Sequence, residues 1–160
     1  MPNTYTQIYI QIVFAVNGRA CLIPASKREE LFKYITGIIR RRGQKLLAIN
    51  GMSDHIHILV SLDASIPISD LVRDVKAGSS HFINEHKWFR GRFAWQEGFG
   101  AFSYSKGDID KVIRYIQNQQ EHHRVRNFKD EYTGLLHEFA VQYDKRYLFE
   151  WIDEQTLPKS

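Results

Sequence analysis

Residues 53–62, Ser-Asp-His-Ile-His-Ile-Leu-Val-Ser-Leu, alternate as a strand lying between two unlike surfaces must. Side chains on a strand point to opposite faces with a period of two. Ile56, Ile58, Val60 and Leu62 therefore share one face, and His55 and His57 share the other. A chain with this run has to build a sheet whose apolar face sits on a core and whose opposite face holds two imidazoles side by side. Such a pair is half a metal site, and the other half must come from elsewhere in the chain.

The same alternation marks residues 5–16, where Ile8, Ile10, Ile12, Phe14 and Val16 oppose Gln7, Tyr9 and Gln11, and predicts a second half-buried strand. Pro24 and Ser26 open a helix with Leu31, Ile35, Ile38 and Ile39 on its apolar face, closed by Gly43. Lys45–Asn50 reads as a strand, and Gly51-Met52-Ser53-Asp54 turns the chain into the histidine strand over 55–62. Pro67 and Ser69 introduce a helix bearing Leu71, Val72, Val75, Phe82 and Ile83. Trp88 to Trp95 reads as a connection entering a short strand, Gln96-Glu97-Gly98 as a hairpin turn, and Phe99–Ser105 as a further strand. The order β-α-β-β-α-β-β-α predicts an α+β domain: a ferredoxin-like (RRM-like) antiparallel sheet with two helices on one face. The next helix is then expected near the other face, against the histidines.

That helix lies within Asp108–His123. Ile109, Val112, Ile113 and Ile116 recur at i, i+3, i+4 and i+7, and Ser105 with Asp108 resembles a capping box. Tyr115 and Gln119, four residues apart, share a face beside the apolar stripe, so a phenol and an amide oxygen lean toward whatever the helix packs on. Beyond it come a Lys/Asp-rich break, a short helix around Leu135–Phe139 and an aromatic tail through Tyr143, Tyr147, Phe149 and Trp151, which reads as packing or as a dimer interface.

The chain of 160 residues suits a single domain, 1–160, with a core over about 3–123 and the C-terminal helix and tail over about 124–152. One cysteine excludes an internal disulfide framework and a cysteine-based zinc site. No apolar stretch approaches the length of a membrane span and no signal-peptide pattern opens the chain, so a cytoplasmic protein is expected. The net charge of +4 tilts it toward polyanions. Arg114 and Arg124, close to the tyrosine, are candidate contacts to a polyanion, as are Arg40 and Arg41, although arginines closing a helix also complement its dipole.

Two imidazoles and an amide oxygen leave positions open on a divalent cation, which can then polarise a substrate oxygen. Such ligands suit Mn²⁺ better than Mg²⁺, although abundance favours Mg²⁺. A phenol of ordinary pKa near 10 is a weak nucleophile, useful against an activated and well-placed phosphodiester.

His55-Ile56-His57 on a strand, together with Tyr-Ile-Gln-Asn-Gln at 115–119 and the Trp95-Gln96-Glu97-Gly98-Phe99 segment, resembles the HUH single-tyrosine transposases of small insertion sequences, including the REP-associated type. The likeness runs from the first strand to Gln119; the joint pattern is specific where neither half would be. It implies Tyr115 as nucleophile, His55 and His57 as metal ligands and Gln119 as the third. It also implies single-stranded DNA with hairpins at element ends as substrate, a 5′-phosphotyrosine with a free 3′-hydroxyl, and a homodimer in which the tyrosine often completes the partner's histidine pair. His122 and His123 are rivals to Gln119, and Asp54 is read as a turn residue rather than an imidazole partner. The competing readings are a non-catalytic RRM-like nucleic-acid-binding module, an HUH nickase, and a domesticated transposase acting on genomic hairpins.

Overall fold

The structure is a computed structural model that describes residues 3–152; residues 1–2 and 153–160, the ends of the expected 1–160 domain, lie outside the described residues. Four strands, β1 (Tyr9–Ala15), β2 (Lys45–Gly51), β3 (His55–Ser61) and β4 (Gly100–Tyr104), form one antiparallel sheet in the order β2-β3-β1-β4. Helices α1 (Ala25–Arg41) and α2 (Ile68–Glu85) are the crossovers, so the expected ferredoxin-like plan is the observed one. Leu31, Ile35, Ile39, Leu71 and Ile83 on these helices meet Ile12, Phe14, Ile56 and Ile58 of the sheet in the main core.

The other face carries a second apolar layer. The register pairs His57 with Val13 and Asn50, and Leu59 with Gln11 and Ala48, so these residues share the face that α1 and α2 leave uncovered. Helix α3 (Ile109–Gln117) closes over it, Ile109, Val112 and Ile116 packing on Ala48 and Leu59. Ile116 and Leu59 are fully buried, and removing such a side chain from water contributes about 1.5–3 kcal/mol. This is what pins the tyrosine helix over the histidines. Farther along, α5 (Phe128–Glu138) packs on the same face beside β4. A Cβ at Gly100 would come within 2.8 Å of the Tyr132 hydroxyl, so glycine there lets α5 approach.

Four expectations change. The first strand is confined to Tyr9–Ala15 because its partners run out: Leu62 N–H donates to Ile8 O at 2.8 Å and the ladder ends. The short strand at Trp95 reduces to one bridge with Val16, since β1 ends there and the chain turns at Gly98 with φ +85°. The helix expected to run through Gln119 breaks at Asn118, and a short α4 (Gln119–His122) follows. Asn50 of β2 explains the break, its side-chain amide donating to the carbonyls of Ile116 (2.9 Å) and Gln117 (3.1 Å) that a continuous helix would use internally. Finally, the Lys/Asp-rich break and the short Leu135–Phe139 helix are one longer helix, α5. It is capped by Asn127, whose Oδ1 accepts from Asp130 N–H at 2.9 Å. The tail folds back on it, with Phe149 and Trp151 against Phe128 and Tyr132.

Candidate active site

Strand period and sheet register place His55 and His57 on one face with ring centroids 5.1 Å apart. Both are fully enclosed, roofed by α3, α4 and α5. Phe128, on the first turn of α5, stacks flat on the His55 ring at 4.0 Å and fixes its plane.

Each imidazole is gripped from behind. Nδ1 of His55 lies 2.7 Å from Asp54 Oδ1, and Nδ1 of His57 lies 2.7 Å from Gln11 Oε1. Gln11, buried in the neighbouring strand, is itself held by donating to the Tyr104 hydroxyl at 2.7 Å. Partners of this kind set tautomer and ring orientation in metal-binding histidines and leave Nε2 to point forward. Asp54 thus does more than turn the chain.

The forward nitrogens converge on Glu131 of α5, which is 2% exposed. Its Oε1 lies 2.9 Å from His57 Nε2, 3.1 Å from His123 Nε2 and 3.4 Å from His55 Nε2. Its Oε2 accepts from the Tyr115 hydroxyl and from Gln119 Nε2, the latter at 3.1 Å. The Gln119 amide oxygen in turn lies 3.1 Å from His55 Nε2.

Burial alone would push the Glu131 carboxyl up, but His57, His123 and His55 outweigh it and hold it well below the usual carboxylate range. Burial would also lower His55, yet Asp54 and Glu131 together raise it to about 9. His57 goes the other way: burial lowers it and Glu131 does not compensate. The Tyr115 phenol is raised, first by burial and then by the Glu131 charge beside it.

The donor set fits a divalent cation. Both nitrogens of both rings face oxygen acceptors, whereas a neutral imidazole has one N–H to give. A neutral His57 can serve Gln11 or Glu131 but not both. A positive centre between the Nε2 atoms and the oxygens resolves this, and one ring nitrogen of His55, one of His57 and a Glu131 carboxylate oxygen all lie within 4.8 Å of one another. Two imidazoles, a carboxylate and an amide oxygen match Mn²⁺-like chemistry.

The structure therefore brings Tyr115, His55, His57 and Gln119 together within one chain. Tyr115 and His57 rings are 6.1 Å apart, and the helix break does not separate Tyr115 from Gln119, since both reach the same carboxylate. His122 stacks on the Tyr115 ring at 4.5 Å, while His123 touches Glu131. Arg114 and Arg124 are exposed on the site's side of the sheet; Arg40 and Arg41 close α1 on the far side. A cavity of about 590 Å³ opens beside Tyr115 and Glu131, with Lys111 and Arg126 supplying positive charge and Asp108 and Glu138 negative charge. Glu131, Gln11 and Arg126 were not expected at the site. The readable signal for Glu131 was Asn127 with Asp130 as a cap, and Phe128, Glu131, Tyr132 and Leu135 at helical spacing.

Comparison with known proteins gives the family and the fold. The family model for IS200-like transposases matches residues 4–119. The ISDra2 transposase TnpA of Deinococcus radiodurans is 20% identical over 122 residues, covering 72% of this chain and 86% of that protein. A crystal structure at 1.90 Å of a candidate transposase from Deinococcus radiodurans R1 has a TM-score of 0.58 at 20% identity, covering 73% of this chain and 94% of its own. A REP-associated tyrosine transposase bound to a REP hairpin has a TM-score of 0.59 at 15% identity, covering 99% of this chain and 96% of its own. At these identities the two structures show a common fold.

Proposed function

This chain belongs to the IS200-like transposase family, and on that footing we propose that it cuts and rejoins single-stranded DNA through a covalent bond to Tyr115. The observation that carries the reading is the convergence of the Tyr115 hydroxyl and the forward nitrogens of His55 and His57 on one buried carboxylate. A phenol and a cation site that share a neighbour can act on the same phosphodiester.

His55, His57 and Gln119 would hold a divalent cation, Mn²⁺ or Mg²⁺, with Glu131 adding a carboxylate. When bound, the cation would polarise the scissile phosphate and offset the charge that develops on it. Asp54 and Gln11 keep the imidazoles aimed and in the tautomer that leaves Nε2 free. The Tyr115 oxygen attacks phosphorus: its bond to phosphorus forms while the bond from phosphorus to the 3′ oxygen breaks, the electron pair leaving with that oxygen. The phenol gives up a proton and the departing oxygen takes one up, leaving a 5′-phosphotyrosine and a free 3′-hydroxyl. A second 3′-hydroxyl reverses the step and rejoins the strand. One phosphoester is exchanged for another, so no nucleoside triphosphate is consumed.

The cavity beside Tyr115 suits the approach of an unpaired strand, with Lys111, Arg126 and the nearby Arg114 and Arg124 facing phosphates. The fold relative carrying a hairpin supports hairpin-bearing single strands as the substrate. Tyr115 meets the histidines of its own chain, so a homodimer would not be needed to complete the site.

The test is incubation with labelled single-stranded oligonucleotides carrying hairpins from the flanks of the gene, with Mn²⁺ or with EDTA. A protein-linked DNA band on a denaturing gel, lost with EDTA and in Tyr115→Phe, is expected. A metal-independent mobility shift with no linked band would replace the reading by a binding module.

A further inference from the structure

Glu131 lies outside residues 4–119, the stretch that the family model matches, yet it occupies the centre of the site. A carboxylate buried this far is costly unless its oxygens are fully paired. Here they are paired, and unequally. Oε1 faces the histidine nitrogens, and Oε2 faces the Tyr115 hydroxyl and the Gln119 amide. A residue serving only to neutralise histidines would not need its second oxygen turned to the phenol.

The placement is rigid. Asn127 caps α5, Arg126 Nη2 donates to Asp130 O at 2.9 Å, and Phe128, three residues before Glu131, is locked on the His55 ring. One turn on, Leu135 is buried in the core, and Tyr132, next to Glu131, packs its ring against Phe149. A side chain on so anchored a helix turn can hold a neighbouring hydroxyl to within a few tenths of an ångström, as nucleophile placement demands.

We propose that Glu131 is a positioning residue for Tyr115, one carboxylate oxygen on the cation side of the site and the other holding the phenol hydroxyl, so that α5 completes the active site. The proposal rests on Tyr115 being the nucleophile and on His55 and His57 holding a cation. It makes the two events interdependent: the group that helps to seat the cation also fixes the attacking oxygen.

The experiment compares wild type, Glu131→Gln and Glu131→Asp, with Tyr115→Phe and His57→Ala as controls. Glu131→Gln keeps the shape and an acceptor oxygen but loses the charge; Glu131→Asp keeps the charge but withdraws the oxygens by one methylene. Circular dichroism establishes that each variant is folded. Mn²⁺ affinity is measured by calorimetry without DNA, oligonucleotide affinity by anisotropy, and the single-turnover rate of adduct formation at saturating DNA and Mn²⁺. Glu131→Gln should weaken Mn²⁺ at least tenfold and slow the adduct step at least a hundredfold, with oligonucleotide affinity within twofold of wild type. Glu131→Asp should retain Mn²⁺ better than it retains rate. Tyr115→Phe should bind Mn²⁺ as wild type does. A folded Glu131→Gln that keeps the wild-type rate, or loses rate with unchanged Mn²⁺ affinity, overturns the proposal. If His57→Ala binds Mn²⁺ as wild type does, or wild type forms no adduct, the underlying functional reading fails instead and the proposal falls with it.

Discussion

Gln11→Leu is a severe test of how the site is built, because the change is nearly isosteric and lies behind the histidines. Gln11 Oε1 is the acceptor 2.7 Å from His57 Nδ1, in a place where the ring is fully buried. With leucine there, that nitrogen faces hydrocarbon. The ring can respond by moving its proton to Nε2, toward Glu131, but Nε2 is then no longer free to bind a cation. Binding Mn²⁺ would force the proton back to an unpaired buried position, at a cost of about 1–3 kcal/mol. At about 1.4 kcal/mol per decade this weakens Mn²⁺ by roughly 5- to 150-fold, which brackets the 10–100-fold effect usual for such supporting partners. Calorimetric Mn²⁺ titration near pH 7.5 measures it, and thermal melting shows whether the fold survives. Gln11→Glu, which restores an acceptor, should recover most of the affinity. A folded Gln11→Leu protein with Mn²⁺ affinity within twofold of wild type would refute the argument that Gln11 sets the His57 tautomer.

Three further outcomes are expected. If each chain's tyrosine serves its own histidines, as proposed, mixing Tyr115→Phe with His57→Ala should yield no adduct on a denaturing gel; substantial recovery would show exchange between protomers. In EDTA, His55 carries a pKa raised to about 9 from 6.5, so its stabilisation is full below about pH 6.5 and is lost as pH rises through about 9. The melting-temperature gap between wild type and Asp54→Asn should therefore be largest near pH 6 and shrink toward pH 9, while Mn²⁺ affinity climbs over the same range as the proton leaves. Phe128→Ala removes a buried ring stacked on His55 and packed on Phe149 and Trp151; chemical denaturation should show a loss of about 3–5 kcal/mol.

The alternation around His55 and His57 told which sheet face would carry the site, and the Ile109–Ile116 stripe told what would cover it. What could not be read came from groups whose meaning depends on a third layer. Gln11 alternates with Ile10 and Ile12 and looks like a solvent-facing polar residue; it is buried only because α3 and α5 cover that face. Glu131 sits in Lys129-Asp130-Glu131, which has the composition of an exposed break, and becomes a buried carboxylate once Phe128 and Tyr132 dock the helix. Asp54 occupies a turn, where aspartate is commonplace, and its contact with His55 is invisible to spacing rules. The break at Asn118 depends on Asn50, 68 positions away in sequence by their numbers, capturing two carbonyls next to it. Periodicity reports which face a residue shares; it does not report what lands on that face.

The most direct measurement is mass spectrometry of the protein–DNA adduct after nuclease and trypsin digestion. The expected product is a peptide beginning at Tyr115 that carries a 5′-linked phosphonucleotide on that tyrosine, formed only with Mn²⁺ or Mg²⁺ present. A nucleotide on Tyr104 or Tyr132, or cleavage of the strand with no tyrosine modified, would contradict it.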